Sequence, residues 1–448
     1  MYRKDSIIIE EWLKRSDKAL LVTGARQIGK TWLIREEIAK SGYRKFEVNF
    51  IDQPDLVDYL NVKMSANEFL VKLKMIMPED CKPQETVVFF DEIQKCPEIV
   101  TKIKFLVEEG SFKYVMSGSL LGVELKGITS VPVGYLTVLR MYPMDFEEFM
   151  IANSVSKTTL EMLKAKFETC QPVDEFIHQK LLSLFFIYLI VGGMPDAVKI
   201  YIATKDIREV DKVQRDIVEL YKEDFSQHES EDKKLKLISI YDIIPAELNK
   251  QNKKFVFTML NKELKFDRYE NSFLWLKDAG VALPVYNVEA PVIPLKASKS
   301  SNVFRLFSND TGLLTSAYPA ETKLELINKN SEVNNGAHFE NAVAQQLTAN
   351  GLEPYFCKKK NIGELDVLVE MDGKVVPIEV KSGKAYKAHK SLDNFMKISD
   401  YHIEKAYVLS VANMEQEGSV VYLPIYMCYL LKERKIGKLI VDLDMEGL

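Results

Sequence analysis

Cysteine is scarce. Cys81, Cys96, Cys170, Cys357 and Cys428 are odd in number, far apart and never in a C-x-x-C pair, which excludes a disulfide framework and argues against a zinc site. The five histidines are equally scattered. Long apolar runs are missing too: the longest, Leu181 to Val191, falls well short of the roughly 20 residues that cross a bilayer, so it reads as a buried helix. There is no excess of basic charge. With 60 Lys and Arg against 65 Asp and Glu the formal net charge is −5, so a polyanion would have to meet a local basic patch. The N-terminal Met-Tyr-Arg-Lys-Asp has neither an apolar run nor a small-residue cleavage site behind it, hence no secretory signal. A cytoplasmic protein without a membrane partner is expected.

What is present is an ordinary globular composition, 47% hydrophobic and 28% charged, incompatible with a disordered or collagen-like chain. At 448 residues it suggests about three or four domains. Residues 18–140 alternate short apolar strands (Lys18–Thr23, Phe46–Ile51, Thr86–Phe90, Tyr114–Ser117) with helical segments, the pattern of a parallel sheet covered on both faces. From 144 to 225 the pattern turns helical. Residues 226–320 offer a helix near 230–249, a second at about 267–279 ended by Gly280, and candidate strands Val281–Tyr286 and Val303–Phe307, an order that predicts a winged helix-turn-helix. Beyond the polar Asn328–Asn335 come a helix over Ala337–Ala349 and alternating strands around 363–381.

Gly24-Ala25-Arg26-Gln27-Ile28-Gly29-Lys30-Thr31 satisfies G-x-x-x-x-G-K-[ST] between an apolar strand and a helix, where such a phosphate-binding loop must lie. Its backbone N–H groups and the helix N-terminus would wrap the phosphates of ATP, Lys30 would reach the terminal phosphates, and the Thr31 hydroxyl would face Mg²⁺. Downstream, Val87-Val-Phe-Phe90 delivers Asp91-Glu92. Asp91 is expected to hold Mg²⁺ through water, and Glu92 to deprotonate the attacking water. Ser117, in Ser117-Gly118-Ser119, is a candidate to sense the γ-phosphate, although a turn accounts for Ser-Gly-Ser almost as well.

These motifs, with Tyr142-Pro-Met-Asp-Phe-Glu-Glu-Phe149, Tyr188-Leu-Ile-Val-Gly-Gly-Met-Pro-Asp-Ala197, Asn309-Asp-Thr-Gly-Leu-Leu314 and Pro377-Ile-Glu-Val-Lys-Ser382, resemble the prokaryotic AAA-type ATPases that carry a C-terminal restriction-endonuclease-like domain. The resemblance covers nearly the whole chain. It departs at one point: the family often has Gly-Arg ahead of its Pro-x-x-Phe-x-Glu segment, a candidate arginine finger, where this chain has Gly134-Tyr135. Arg140 or Arg26 is left to substitute. Because a finger is worth about 10³–10⁵ in turnover, slow intrinsic hydrolysis is expected unless a partner protein completes the site.

The last domain allows a more independent argument. Gly363–Glu370 and Val375–Lys381 flank Asp372-Gly373, a strong hairpin signal. Centred there, the turn sets Asp366 opposite Glu379 and Glu364 opposite Lys381 on one face, and leaves Leu365, Val367, Val369, Val376, Ile378 and Val380 on the other. Facing carboxylates about 5 Å apart repel. A second Mg²⁺, or Mn²⁺, between Asp366 and Glu379 would relieve this, with Lys381 positioning a water or stabilising phosphorane charge and Glu340 either a further ligand or a group that supports the ligands. The set is similar to the PD-(D/E)XK nuclease signature. A salt-bridged sheet surface is the alternative. Lys381, Lys384, Lys387 and Lys390 recur every third residue, and with Lys358-Lys359-Lys360 they would form either a solvated helix face or a phosphate-tracking strip. Lys250, Lys253 and Lys254 could touch a phosphate backbone, whereas Asp267, Arg268, Glu270, Asn271 and Lys277 make no strongly basic recognition helix.

The expected fold class is therefore multidomain α/β: a P-loop AAA-type parallel-sheet core at 1–143, a helical lid at 144–225, a winged helix-turn-helix module at 226–325 and an α/β restriction-endonuclease-like domain at 326–448. The expected function is ATP binding and slow hydrolysis coupled to an action on DNA by the C-terminal half. The alternative is a nucleotide-switched regulator that binds DNA or protein through an inactive nuclease-like domain.

Overall fold

Five short strands, β1 (Ala19–Thr23), β2 (Arg44–Asn49), β3 (Thr86–Asp91), β4 (Lys113–Gly118) and β5 (Leu136–Arg140), form a parallel sheet in the order β2-β3-β4-β1-β5. In the computed structural model, residues 1–119, 134–227, 231–250, 255, 270–328, 335–360 and 362–434 are described. Side chains of a strand alternate between faces, and here both faces are buried. Leu20, Val22, Val87, Phe89 and Val115 pack with Leu33 and Ile34 in one cluster. Leu21, Val88, Phe90, Tyr114 and Met116 pack with Phe69, Ile99 and Ile103 in another. β1 thus lies between β4 and β5 with its C-terminal end, and the loop that follows, beside the ends of β3 and β4.

Helices follow at Phe146–Ala152, Lys157–Thr169, Glu175–Val191, Pro195–Thr204 and Ile207–Gln227. The first opens on a reciprocal capping box between Asp145 and Glu148, which satisfies two helix-terminal donors. The apolar run Leu181–Val191 lies in the third, where it is mostly buried. Among the described residues no helix is long and apolar enough to cross a membrane.

The second sheet has eight strands: β6 (Ala282–Val288), β7 (Lys299–Ser308), β8 (Tyr355–Lys359), β9 (Gly363–Met371), β10 (Lys374–Val380), β11 (Ala406–Ser410), β12 (Glu415–Glu417) and β13 (Val420–Pro424), ordered β12-β13-β11-β10-β9-β8-β6-β7. The β9–β10 hairpin turns at Asp372-Gly373 with Val376 opposite Val369 and Ile378 opposite Val367, the register expected from the turn. The structure differs from expectation at two places. Helices Glu231–Leu248 and Glu270–Asp278 do precede a β6–β7 hairpin, but β6 pairs with β8 through Tyr286 and Tyr355. The strands read as a wing are therefore the edge of the C-terminal sheet, and that sheet crosses the boundary expected at 325/326. Lys253, Lys254, Asp267 and Arg268 lie outside the described residues. Secondly, Lys381, Lys384 and Lys387 do not share a helix, since the helix starts only at Lys390 (Lys390–Met396). Main-chain pairing continues to Lys381, whose N–H donates to the Leu409 carbonyl, and Gly383 then falls in an irregular segment.

Candidate functional site: a phosphate loop and a carboxylate cluster

Past β1 the chain turns through Gly24 (φ 140°) to Gly29 (φ 89°), a left-handed residue at the N-cap of helix Lys30–Ser41. Only glycine adopts this without strain. Lys30 is buried, and its Nζ donates to the carbonyls of Gly24 (3.0 Å) and Ala25 (2.7 Å). Burial pulls its pKa down to about 8, against the opposing pull of Glu92 and Asp91. Asp91, the last residue of β3, is where the expected residues converge. Thr31 Oγ1 lies 3.1 and 3.2 Å from its two carboxylate oxygens, Asn49 Nδ2 donates from 3.3 Å, and the Ser117 hydroxyl also donates to it. Burial raises the Asp91 pKa, while the Ser117 and Thr31 hydrogen bonds oppose the rise. Ser117, expected as a γ-phosphate sensor, thus has its hydroxyl engaged by Asp91.

Glu92 has φ 57° and ψ 49°, a left-handed conformation that is uncommon outside glycine and clusters at functional sites. Gln94 Nε2 donates to its carboxylate. Glu92, Lys30, Thr31, Gln27, Met144 and Pro195 help to line a cavity of about 650 Å³, ample for a nucleotide. The Thr31 hydroxyl and Asp91 carboxylate are hard oxygen donors of the kind Mg²⁺ takes, so these residues fit a nucleotide-bound Mg²⁺.

Arg3 and Asp224, like Asn49, carried no sequence signal. Arg3 is buried and donates to the Ile28 carbonyl of the loop (2.9 Å), the Tyr142 carbonyl (2.6 Å) and Glu148 (3.2 Å). Asp224 pairs with Arg26 at 2.6 Å, and Tyr221 in the same helix donates to the Arg26 carbonyl. Burial lifts the Asp224 carboxyl to about 6. Of the two substitutes for a finger, Arg26 is therefore held by Asp224, and exposed Arg140 donates to the Lys277 carbonyl. Tyr135 bonds Glu108.

In the C-terminal sheet Glu340, Glu364, Asp366, Glu379 and Lys381 do come together, around a residue that sequence reasoning missed. Arg305, on β7, is 2% exposed. Its Nη1 donates to Glu340 (3.2 Å) and the Asp366 carbonyl (3.3 Å) and lies 3.9 Å from Asp366 Oδ1, while Nη2 bonds Glu364. Asp366 Oδ2 also accepts from the Val380 N–H at 3.0 Å, and Lys381 Nζ pairs with Glu379 at 2.8 Å. Burial first, and then Asp366, push the Glu379 carboxyl up. Lys358 is paired with Glu364, and Lys387 with Glu415 and Glu417. Among the described residues no three His, Cys, Asp or Glu side chains are arranged to hold a metal ion.

The parallel sheet, its glycine loop and the Asp91 cluster define a P-loop nucleotide site. Residues 16–150 match the family model of an AAA domain, which supports an AAA-type P-loop reading of this part of the chain. Residues 182–324 and 335–428 match two domains of unknown function, DUF8612 and DUF4143. No curated protein matches the chain. Similar solved structures include a Walker-type ATPase of Pyrococcus abyssi, 13% identical, matched over 70% of this chain and 95% of that one with a TM-score of 0.42. AMPPCP-bound DnaA from Aquifex aeolicus is 13% identical over 56% of this chain and 76% of its own (TM-score 0.32). The Thermotoga maritima RuvB Holliday junction branch migration motor is 15% identical over 63% and 89% (TM-score 0.28).

Proposed function

We propose that the chain binds ATP with Mg²⁺ at the P-loop, hydrolyses it slowly, and couples nucleotide state to an action of its C-terminal half on DNA. The observation that supports the nucleotide reading best is the convergence of Thr31, Ser117 and Asn49 on Asp91, beside Lys30 and a strained Glu92. In this reading the N–H groups of the Gly24–Thr31 loop cradle the phosphates and Lys30 leaves its two loop carbonyls for phosphate oxygens. Thr31 and, through water, Asp91 would hold Mg²⁺, which would neutralise phosphate charge. Glu92 takes the proton from the attacking water, and Ser117 positions Asp91. Slow turnover follows from the arginines: Arg26 is occupied by Asp224 and Arg140 by a carbonyl, so full activity awaits a partner protein or substrate that supplies a cation. The DNA reading rests on exposed lysines such as Lys360 and Lys384 in the C-terminal half.

The test is calorimetry with a non-hydrolysable ATP analogue beside a phosphate-release assay. Lys30→Ala should abolish binding. Glu92→Gln should keep binding and lower turnover by about 10²–10⁴. Retained tight binding in Lys30→Ala would sink the reading.

A further inference from the structure

The carboxylates around the C-terminal sheet need a compensating cation, because four acids converge and all are at least partly shielded from water, Glu340 and Glu379 buried and Glu364 and Asp366 half-buried. A divalent metal is one solution; the structure contains another. Arg305 leaves β7, passes its guanidinium over the Phe356 ring on β8 (4.6 Å to the centroid), and reaches Glu340 on helix Gly336–Ala349 and Glu364 and Asp366 on β9. A planar guanidinium suits such forked carboxylate contacts and stays charged at any working pH. The remaining acid, Glu379, is taken up by Lys381. Only Glu379 Oε2 lacks a partner among the described buried carboxylate oxygens of the cluster, and one oxygen is not a coordination sphere, since Mg²⁺ asks for near-octahedral oxygen ligation. A divalent cation here would have to displace a buried arginine from three acids or sit beside it against like charge.

We propose that Arg305 is the resident cation of this cluster, held by Glu340 and Asp366, two of the acids expected to ligate a metal, and that the C-terminal domain holds its ligand without hydrolysing phosphodiesters. Arg305 and Lys381 then act as fixed charges on a carboxylate lattice that joins the β6–β7 hairpin to β9. The proposal goes beyond the nucleotide reading and does not depend on it.

The experiment uses the full-length chain without nucleotide. Mn²⁺ uptake is followed by the electron paramagnetic resonance of free Mn²⁺, and nicking is followed on supercoiled plasmid in millimolar Mn²⁺. The wild type should show no uptake that Asp366→Asn removes, and no nicking. Arg305→Leu should gain a Mn²⁺ site roughly tenfold or more tighter than anything in the wild type, and Asp366→Asn in that background should abolish it. Because removing a buried arginine can unfold the domain, Arg305→Leu with Glu364→Gln, which lowers the uncompensated charge, serves as the second variant. Retained binding of an ATP analogue shows that the rest of the chain is folded. Wild-type uptake or nicking that disappears in Asp366→Asn overturns the proposal whatever the variants do. So does a folded Arg305 variant that gains no Mn²⁺.

Discussion

Lys30 links charge, burial and ligand in a way that pH can expose. Its pKa of about 8 lies below the 10.5 of a free lysine, so between these values the unfolded chain binds more protons than the folded one, and stability should rise with pH across that window. Nucleotide affinity should move the other way. Above about pH 8 the free protein loses the ammonium that phosphate requires, and affinity should fall by up to about tenfold per pH unit. Calorimetric titration of an ATP analogue, run beside denaturant melts from pH 7 upward, reads both slopes. Affinity flat through pH 9 would show that Lys30 keeps its proton. At this scale the site was partly legible. Gly24, Gly29, Lys30 and Thr31 could be read from spacing because the chemistry needs those residue types at those intervals. Arg3, Asp224 and Arg305 could not: each acts through a partner distant in sequence, such as Glu148 for Arg3, and no local pattern encodes the approach.

At the scale of elements, two motifs that looked separate prove to be one joint. Helix Glu175–Val191 ends at Gly192-Gly193, and the next helix begins at Pro195, the nearest neighbour to a side chain built on Gly29 of the phosphate loop. The Gly193 N–H donates to Asp310 (2.6 Å), which also accepts from the Leu313 N–H (3.0 Å) and from Gln345 Nε2 (3.4 Å). Burial raises the Asp310 carboxyl to about 6, with these donors opposing it. A Cβ on Gly193 would collide with the backbone of Met144, so the glycine is required by close approach. Gly193→Ala should cost about 1–3 kcal/mol, as overpacking does. It should also weaken nucleotide binding by shifting Pro195. Gly383→Ala, whose Cβ would meet nothing within 4 Å, should be near neutral. Equal melting temperatures for the two variants would show that the joint yields. The β9–β10 register was legible because Asp372-Gly373 fixes the turn and a one-residue slip would bury the wrong face. The fate of β6 and β7 was not, because a two-stranded hairpin reads the same whether it stands alone or edges a larger sheet.

On the scale of the whole molecule, one face of the parallel sheet shares its core with the eight-stranded sheet, while the other face packs a cluster of its own. One buried apolar cluster runs from Ile9 and Val22 in the ATPase domain through Phe146, Phe185 and Leu189 in the helical region to Phe339, Val367 and Leu431. Polar contacts follow the same path: the Phe146 N–H donates to Gln346 at 3.2 Å, and Asn413 exchanges hydrogen bonds with the backbone of Val173 at 3.0 and 2.7 Å. Domains that share a core lose cooperativity when cut apart. A fragment of residues 326–448 would lack β6, β7 and Arg305. β8 would then expose an unpaired edge, an invitation to association, and Glu340, Glu364 and Asp366 would lose the guanidinium that compensates them. Breaking buried pairs of this kind typically costs about 3–5 kcal/mol, a large part of the roughly 5–15 kcal/mol that holds a domain together. The fragment should therefore aggregate or melt without cooperativity, whereas one starting at residue 270 regains the hairpin and the arginine and should be the more soluble of the two. Circular dichroism melts of both, beside the full chain, decide the matter: a sharp transition in 326–448 matching that of the longer piece would mean that the carboxylate lattice and the shared sheet contribute little to the fold.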